Sequence, residues 1–490
     1  MTAVTESAPT STVPPEPGQL LIAGRWTDAT GGQRREVLNP ATGEPLTTVA
    51  EAGAADVARA TAAARQAFDD GRWSRLTPRK RAEVLLRTAA LLREHAEELA
   101  TLESLDVGKP LMFTRTVDVP TAIDTYEYYA GLATTIEGAA RATAFPSLAY
   151  TQREPVGVVA AITPFNFPLI LSTSKLAPAL VAGNTVVHKP AEETALTALR
   201  VARLFQEAGL PDGVLNVITG SGEAGAALVS DPNVDKIAFT GSTAVGRLIA
   251  AAAGQHLKHV TVELGGKGAN LIFADADLDA AINTAVAGFV FNTGQFCMSG
   301  SRLLVERPVY DTVVGALQGA VQHVPVGDPF AGGTVVGPMA GPRHLAKVRS
   351  FLDRANSTSI NVMSGPERDG GGFFVPPTVI TGAPQDSPFV QEEIFGPVLT
   401  VQPFDTEDEA IALANGTPYG LAAGLQTSNL TRAHRVAAAL RAGIVWVNGW
   451  AMLDPSMPFG GTGQSGYGRT NGPEALAEYL QTKSVIVNLA

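Results

Sequence analysis

Cysteine is almost absent from this sequence, because Cys297 is the only one in 490 residues. A lone thiol cannot form an internal disulfide, and it is a poor starting point for a metal site. We therefore expect neither a disulfide framework nor a bound metal. The thiol could be a small buried apolar group, an inert surface group or a nucleophile, and composition does not distinguish these roles.

Basic residues are also scarce. Lys and Arg number 36 against 47 Asp and Glu, the net charge is −11, and the sequence contains no basic run. Proteins that bind a nucleic-acid backbone concentrate basic residues, so nucleic acid is not an expected partner.

Two kinds of targeting segment are missing as well. The first 17 residues lack the basic and apolar regions of a secretory signal, and they predict a flexible arm on a cytoplasmic protein. Residues 280–301 are uncharged and long enough to span a bilayer, but Asn283, Asn292 and Gln295 interrupt them with polar groups. No membrane span is therefore expected.

The residues that are present indicate a large α/β protein. Hydrophobic residues make up 45% of the chain, and its length suggests about three domains. From Pro155 to Leu264, continuous apolar segments alternate with helical ones that end at Gly183 and Gly209. This alternation predicts βαβ units and a parallel sheet buried on both faces.

Simpler elements are predicted before that region. We expect short strands at 20–26 and 46–50, a helix at 57–68, one long helix over 77–106, and an extended arm over 138–152.

Residues that directly follow the strands of a parallel sheet are the ones that meet ligands. The loop TPFNFP contains Asn166, whose amide can donate to a developing oxyanion or can serve only as a turn residue. Glu263 ends the apolar strand VTVEL, where burial favours a raised pKa and the role of general base. A paired structural charge fits that position equally well.

Two further loops suit a dinucleotide. In KPAEE, Lys189 and Glu192 lie at a strand-to-helix turn, where a carboxylate can bind a ribose diol. In GSTAVG, Gly241 and Gly246 bracket a turn into a helix whose first amides can bind a pyrophosphate. Each pattern alone is weak, because solvated helix starts are common.

Cys297 lies in FNTGQFCMSGSR, residues 291–302. The apolar residues before it predict a helix that Gly294 ends, so we expect the thiol on a turn just beyond the helix. A cysteine there is a candidate nucleophile if the chain also supplies a base and an oxyanion site, for which Glu263 and Asn166 are the candidates.

Seven motifs occur in a fixed order, and together they are far more specific than any one alone. They are PFNFP with Asn166, KPAE with Lys189 and Glu192, FTGS with Gly241 and Ser242, VELGGK with Glu263, FNTGQFC with Cys297, EEIFGPV with Glu393 and Phe395, and PFGGTGQSGYGR. In this the chain resembles the NAD(P)-dependent aldehyde dehydrogenase superfamily, from about residue 18 to its end.

The resemblance implies a catalytic cycle. Cys297 would attack the aldehyde as a thiolate, and Asn166 with the Cys297 backbone N–H would stabilise the oxyanion. Hydride transfer to the cofactor would leave a thioester, and Glu263 would activate the water that hydrolyses it.

The resemblance also implies the cofactor contacts. Lys189 and Glu192 would bind the adenosine ribose, Ser242 the pyrophosphate and Glu393 the nicotinamide ribose, while Phe395 would pack beside the nicotinamide. The full expected set is Ile162, Thr163, Phe165, Lys189, Glu192, Gly222, Gly241, Ser242, Leu264, Glu393 and Phe395. Because Glu192 would repel a 2′-phosphate, we expect NAD as cofactor, with NADP possible but weaker.

The implied fold class is α/β and aldehyde dehydrogenase-like. It comprises a Rossmann-type open parallel-sheet cofactor domain, an α/β catalytic domain and a small β oligomerisation element that makes a homodimer or homotetramer. The expected segments are a flexible arm at 1–17, the cofactor domain at 18–132 and 156–264, the catalytic domain at 265–465, and the oligomerisation element at 133–155 and 466–490.

The substrate site departs from several family members. Some semialdehyde-specific members carry Arg at the position of Ser174, whereas here the wall is small and uncharged, and Phe165 replaces a frequent Trp. The expected pocket is Phe167, Leu171, Ser174, Phe296, Met298, Trp450, Leu453 and Phe459. It predicts an uncharged aromatic or medium-chain aliphatic aldehyde, unless Arg302 or Arg469 reaches in.

Other functions remain open at this point. They are a semialdehyde dehydrogenase, a CoA-acylating aldehyde dehydrogenase, a cofactor-free thiol hydrolase or acyltransferase, and a non-catalytic protein on the same fold. Glu263 favours water over CoA, and the dinucleotide motifs would have no role in a hydrolase.

Overall fold

The computed structural model describes residues 15–368 and 370–490. Residues 1–14, most of the predicted flexible arm, lie outside the described residues. No helix in the described part of the chain is long and apolar enough to cross a membrane.

The first third of the chain surrounds the cofactor sheet with short strands and helices. Its elements are β1 (Leu20–Ile22), β2 (Arg25–Thr27), β3 (Arg34–Leu38), β4 (Pro45–Ala50), α1 (Ala54–Asp69), α2 (Pro78–Glu94), α3 (Ala96–Val107), α4 (Leu111–Phe113), α5 (Val119–Leu132), β5 (Ala140–Arg141) and β6 (Ser147–Pro155).

The second region alternates strand and helix throughout. Its elements are β7 (Val158–Ile162), α6 (Pro168–Ala182), β8 (Thr185–Lys189), α7 (Leu196–Glu207), β9 (Leu215–Val217), α8 (Gly222–Ser230), β10 (Lys236–Thr240), α9 (Thr243–Gln255) and β11 (His259–Glu263). These strands form an eight-stranded sheet in the order β2-β1-β9-β8-β7-β10-β11 followed by a strand from near the C-terminus.

The core of this sheet is parallel, from β9 through β8, β7 and β10 to β11. Every residue of β7, β8 and β10 is buried, because helices cover both faces. The chain runs outward from β7 to β9 and then returns to β10, so the strand order reverses at β7. The crevice at such a reversal binds ligands, and the loop that contains Asn166 follows β7 directly.

The third region builds a second sheet. Its elements are β12 (Ala269–Ile272), α10 (Leu278–Val290), β13 (Arg302–Glu306), α11 (Arg307–His323), α12 (Pro342–Asn356), β14 (Asn361–Ser364), β15 (Thr378–Thr381), α13 (Pro388–Gln391), β16 (Val398–Phe404), α14 (Glu407–Asn415), β17 (Tyr419–Gly420), β18 (Ala422–Gln426), α15 (Leu430–Ala439) and β19 (Ile444–Val447). Seven strands pair in the order β14-β15-β16-β13-β12-β18-β19, all parallel except β14.

The last segment contributes strands to three sheets. It contains β20 (Thr462–Gly463), β21 (Gly466–Tyr467), α16 (Gly472–Glu478) and β22 (Leu480–Asn488). β20 forms a two-stranded pair with β17. β22 pairs with β6 over nine residues and forms a three-stranded sheet with β5. β21, by contrast, pairs with β11, so residues 466–467 belong to the cofactor sheet rather than to the oligomerisation element in which the sequence placed them.

Three local expectations differ from the structure. The predicted helix over 77–106 is two helices that meet at His95, a break that the continuous apolar period conceals. The predicted strand at 20–26 is a hairpin, because Ala23 takes a positive φ while its N–H donates to Asn216 Oδ1. The helix before Cys297 ends at Val290 rather than at Gly294.

Candidate active site

Cys297 lines a cavity of about 550 Å³. All eight residues expected in the substrate pocket lie in its wall, as do residues from the stretch from α4 through α5 and from α10 that the sequence analysis missed. Among the missed residues are Phe113, Val117, Thr121, Asp124, Thr125 and Thr284. The spacing of three or four between Phe113, Val117, Thr121 and Asp124 is a helical stripe, which could have revealed them.

The turn that carries Cys297 is shaped by hydrogen bonds rather than by glycine alone. After α10, Asn292 and Thr293 both have positive φ, at 48° and 57°. The Asn292 side chain donates to Asn166 O at 2.8 Å, and the Thr293 hydroxyl donates to Gly337 O at 2.9 Å. These bonds stabilise a backbone conformation that is costly for residues with a Cβ, and they place the thiol at the cavity wall.

Asn166 lies beside this turn. Its side-chain Nδ2 donates to Gln295 O at 2.9 Å, two residues before the nucleophile, and the residue is 2% exposed. One of the two amide hydrogens is therefore used to fix the side chain, and the other remains available to an oxyanion.

Glu263 ends β11 with both carboxylate oxygens buried and without a hydrogen-bond partner among the described residues. Burial raises its pKa well above the usual range, and the positive charges of Lys175 and Arg469 lower it only in part. A carboxyl that has a raised pKa and no hydrogen-bond partner is suited to proton transfer.

The pKa of the Cys297 thiol is also raised. Burial raises its pKa to about 12, and the carboxylates of Glu393 and Glu263 add to the increase. Burial therefore favours the neutral thiol over the thiolate at Cys297.

Two glycines after Leu264 bring the base, the nucleophile and a cofactor ligand together. A Cβ at Gly265 would lie 2.3 Å from Glu393 Oε2, and one at Gly266 would lie 2.5 Å from Cys297 O. Because no side chain fits at either position, the backbone of Gly266 can donate to Glu393 Oε1 at 3.0 Å.

The remaining expected cofactor residues line the edge of the sheet. Ile162 ends β7 and Thr163 follows it, Lys189 ends β8, Gly222 begins α8, Gly241 follows β10, and Leu264 follows β11. Ser242 is the N-cap of α9 and accepts from Val245 N at 3.4 Å.

The part of this edge near Glu393 and Phe395 includes residues that the sequence analysis missed. Phe395, at a φ of 64°, contacts Phe165 edge-on, and Phe165 stacks on His344 with ring centroids 3.8 Å apart. Lys347 Nζ donates to Glu393 O at 2.8 Å. His344 and Lys347 lie on α12, whose sequence carries no motif that would have marked it.

These groups fit a dinucleotide. The N-terminus of α9 offers amides to a pyrophosphate, and carboxylates at the ends of β8 and beside Gly265 can accept from ribose hydroxyls. No group of three or more His, Cys, Asp or Glu side chains that could bind a metal occurs within the described ranges.

A doubly wound sheet with a dinucleotide edge, beside a cavity that contains a thiol, an amide and a buried carboxyl, is the arrangement of a dinucleotide-dependent enzyme. A comparison with protein families then gives the particular family. The chain belongs to the aldehyde dehydrogenase family, whose profile matches residues 26–485. The predicted family, fold class and enzyme class are confirmed.

Individual relatives agree with this assignment. An aldehyde dehydrogenase from Alternaria alternata is 44% identical over 492 residues, covering 100% of this chain and 99% of the relative. An NAD⁺ complex of a Bacillus cereus aldehyde dehydrogenase is 44% identical with a TM-score of 0.95, covering 96% of both chains. A Staphylococcus aureus betaine aldehyde dehydrogenase with NAD⁺ is 39% identical with a TM-score of 0.94, covering 96% of this chain and 94% of that one.

Proposed function

We propose that this protein oxidises an uncharged, apolar aldehyde, aromatic or medium-chain aliphatic, to the carboxylic acid with NAD. The observation that carries the substrate class is the wall of the cavity. It is built mainly from aromatic and aliphatic side chains, and no Lys or Arg is among its described lining residues. A carboxylate would lose hydration there without gaining a cation.

The cations that could have reached the cavity are bonded elsewhere. Arg302 donates to the carbonyls of Lys267, Leu413 and Ala414 at 2.7 to 3.0 Å. Arg469 donates to the carbonyls of Gly461 and Gly468.

Two polar side chains of α6, the helix after Asn166, also have hydrogen-bond partners. Lys175 donates to the Thr240 hydroxyl at 2.6 Å, and the Ser174 hydroxyl donates to Leu171 O at 3.0 Å. The charged residues of the wall, Asp124 and Asp454, are both acidic and would repel a semialdehyde carboxylate.

The mechanism begins with the loss of the Cys297 proton to solvent, because burial favours the neutral thiol over the thiolate. The sulfur attacks the carbonyl carbon, and the oxyanion accepts hydrogen bonds from Asn166 Nδ2 and the Cys297 backbone N–H. When bound, NAD supplies the hydride acceptor. Glu263 then takes a proton from the water that attacks the thioester carbonyl. It returns this proton to the Cys297 sulfur as the sulfur leaves.

The alternatives fit less well. A cofactor-free thiol hydrolase leaves the dinucleotide edge without a role. A CoA-acylating enzyme does not need Glu263, a buried and unbonded carboxyl beside the thioester. A semialdehyde dehydrogenase needs a cation in the cavity.

The cofactor, location and assembly follow the family pattern. Related structures that match this chain contain NAD, and Glu192 at the adenosine ribose disfavours a 2′-phosphate, so NADP is the weaker cofactor. We also propose a homodimer or homotetramer located in the cytoplasm.

The test compares kcat/KM for benzaldehyde, hexanal and succinic semialdehyde with saturating NAD. We expect either uncharged aldehyde to exceed the semialdehyde by tenfold or more. If the semialdehyde leads by tenfold, about 1.4 kcal/mol in favour of an unseen cation, the substrate class is wrong.

A further inference from the structure

The adenosine-ribose ligand Glu192 has a cationic neighbour from the other domain. Arg343, the second residue of α12, has Nη1 3.9 Å from Glu192 Oε1 and Nη2 2.5 Å from Glu193 Oε1. Its side chain is 69% exposed, whereas each carboxylate side chain is 22% exposed. The catalytic domain thus contributes a guanidinium beside the carboxylate that is expected to contact the 2′ position of the cofactor.

The charges around this pocket balance. Arg35 makes two bonds to Glu51, at 2.6 and 2.8 Å, and the charges of Glu51, Glu192 and Glu193 all act on Lys189. With Arg343 included, three acids therefore face three bases. An incoming phosphate would therefore meet three positive charges as well as the negative charge of Glu192.

Arg343 is the base that is free to move. Lys189 is buried, and its Nζ donates to Pro190 O at 3.1 Å, while Arg35 is held by both oxygens of Glu51. Arg343 lies on the surface and can exchange Glu193 for another oxyanion at little cost in exposed contacts. Its planar guanidinium can bind two oxygens of one phosphate group at once.

We propose that Arg343 is a specificity-determining residue that admits a 2′-phosphate and makes NADP a usable second cofactor. This inference rests on the proposed function, which places the adenosine ribose at Glu192. With NAD, Arg343 has no phosphate to bind at this position, and its loss leaves Glu192 free to accept from the 2′-OH. With NADP, its loss leaves two carboxylates against the phosphate.

The test measures binding to the full-length protein without turnover. Isothermal titration calorimetry compares adenosine 2′,5′-bisphosphate with AMP on the wild type, Arg343→Ala and Arg343→Lys. We expect Arg343→Ala to weaken the bisphosphate at least fivefold and AMP less than twofold, with an intermediate loss for Arg343→Lys. The loss should shrink as salt is added, because the contact is exposed.

Two control variants frame this result. Arg349→Ala removes an exposed arginine from the same helix and should change neither affinity. Glu192→Gln should strengthen the bisphosphate and weaken AMP. In steady-state assays, Arg343→Ala should lower the ratio of kcat/KM for NADP to that for NAD by fivefold or more.

The outcomes separate the two proposals. Equal weakening of both nucleotides by Arg343→Ala, or no weakening of either, overturns the role of Arg343 and leaves the dehydrogenase intact. Absence of AMP, bisphosphate and NAD binding by the wild type overturns the proposed function itself.

Discussion

Cys297 lies in surroundings that disfavour its reactive form. Burial and two nearby carboxylates raise the pKa of its thiol to about 12, so the thiolate fraction grows with pH across the whole neutral range. Activation must therefore come from a proton acceptor or from changes that accompany cofactor binding.

Alkylation of the single thiol measures this directly. In the enzyme without cofactor, we expect the iodoacetamide rate to rise about tenfold for each pH unit from 7 to 9, because thiolate is the reacting species. Intact mass after labelling reports only Cys297, since the chain has no other cysteine. A plateau below pH 8 would show a thiol that is already ionised.

Glu263 acts in a later step than Cys297 in the proposed mechanism. Glu263→Gln should release NADH in a burst of about one per active site and then stall, because an amide cannot accept the proton of the hydrolytic water. Stopped-flow absorbance at 340 nm measures the burst, and Glu44→Gln, an exposed glutamate, should turn over normally. Steady turnover by Glu263→Gln would contradict the assignment.

The sequence singles out Glu263 because its motif ends a strand, and Cys297 because its motif follows the end of a helix. It did not anticipate Lys347, His344 or Arg343. They lie at the start of a helix of the catalytic domain, and only folding brings that helix against the loops that follow β7 and β8. Charge pairing across a domain boundary leaves no periodic signal in the sequence.

At the scale of elements, α3 caps two other helices. Glu103 Oε1 accepts from Leu169 N at 3.2 Å, at the start of α6, and Asp106 Oδ2 accepts from Leu196 N at 2.9 Å, at the start of α7. Because α6 follows Asn166 by two residues, Glu103 helps to position the oxyanion donor.

The buried carboxyl of Glu103 makes the free energy of unfolding depend on pH. Burial and the charge of Asp118 raise the pKa of Glu103 to about 7, against 4.5 for the unfolded chain. The folded state therefore retains a proton that the unfolded state releases, so stability falls as pH rises from about 4.5 to 7 and is level above that. For this one group the loss is about 3 kcal/mol.

Glu103→Gln tests the effect with a neutral side chain of the same shape. The variant should be less sensitive to pH than the wild type, with the larger thermal midpoint of the two at pH 8 and a similar one at pH 5. Scanning calorimetry at both pH values measures this. A wild type that gains stability between pH 5 and 8 relative to the variant would reverse the sign and refute it.

Capping signals made most helices predictable, and their absence explains the main error. Thr77 accepts from Lys80 N with Pro78 at the first position, and Gly108 ends α3 at a φ of 82°. Between them the chain breaks at His95, where neither glycine nor proline marks the interruption. The start of α3 has no side-chain cap, so the local sequence carries no signal for the break.

At the scale of the whole molecule, periodicity predicted the cofactor sheet, whereas the α/β catalytic domain was expected only from the family resemblance. The final segment was harder, because two residues of β21 join the cofactor sheet before β22 crosses to β6. A two-residue strand has no pattern of its own, and its place depends on a backbone edge left open by β11.

The three-stranded sheet leaves apolar side chains and an unpaired edge in solvent. Ile486 is 59% exposed, and Leu148 and Val487 are also exposed. Within the described residues, β22 pairs only with β6, so its second edge is open to another chain. Such an edge invites aggregation unless a symmetric partner covers it.

We therefore expect light scattering in dilute solution to give two or four times the chain mass of about 51 kDa. Ile486→Asp should raise the monomer fraction, because a charge on this strand would have to be desolvated in the interface. Leu430→Asp, which places the same charge on an exposed position of α15, should leave the mass unchanged. A wild-type mass of one chain would contradict the role of this sheet in assembly. If the Ile486→Asp variant forms an oligomer as stable as that of the wild type, the interface lies elsewhere.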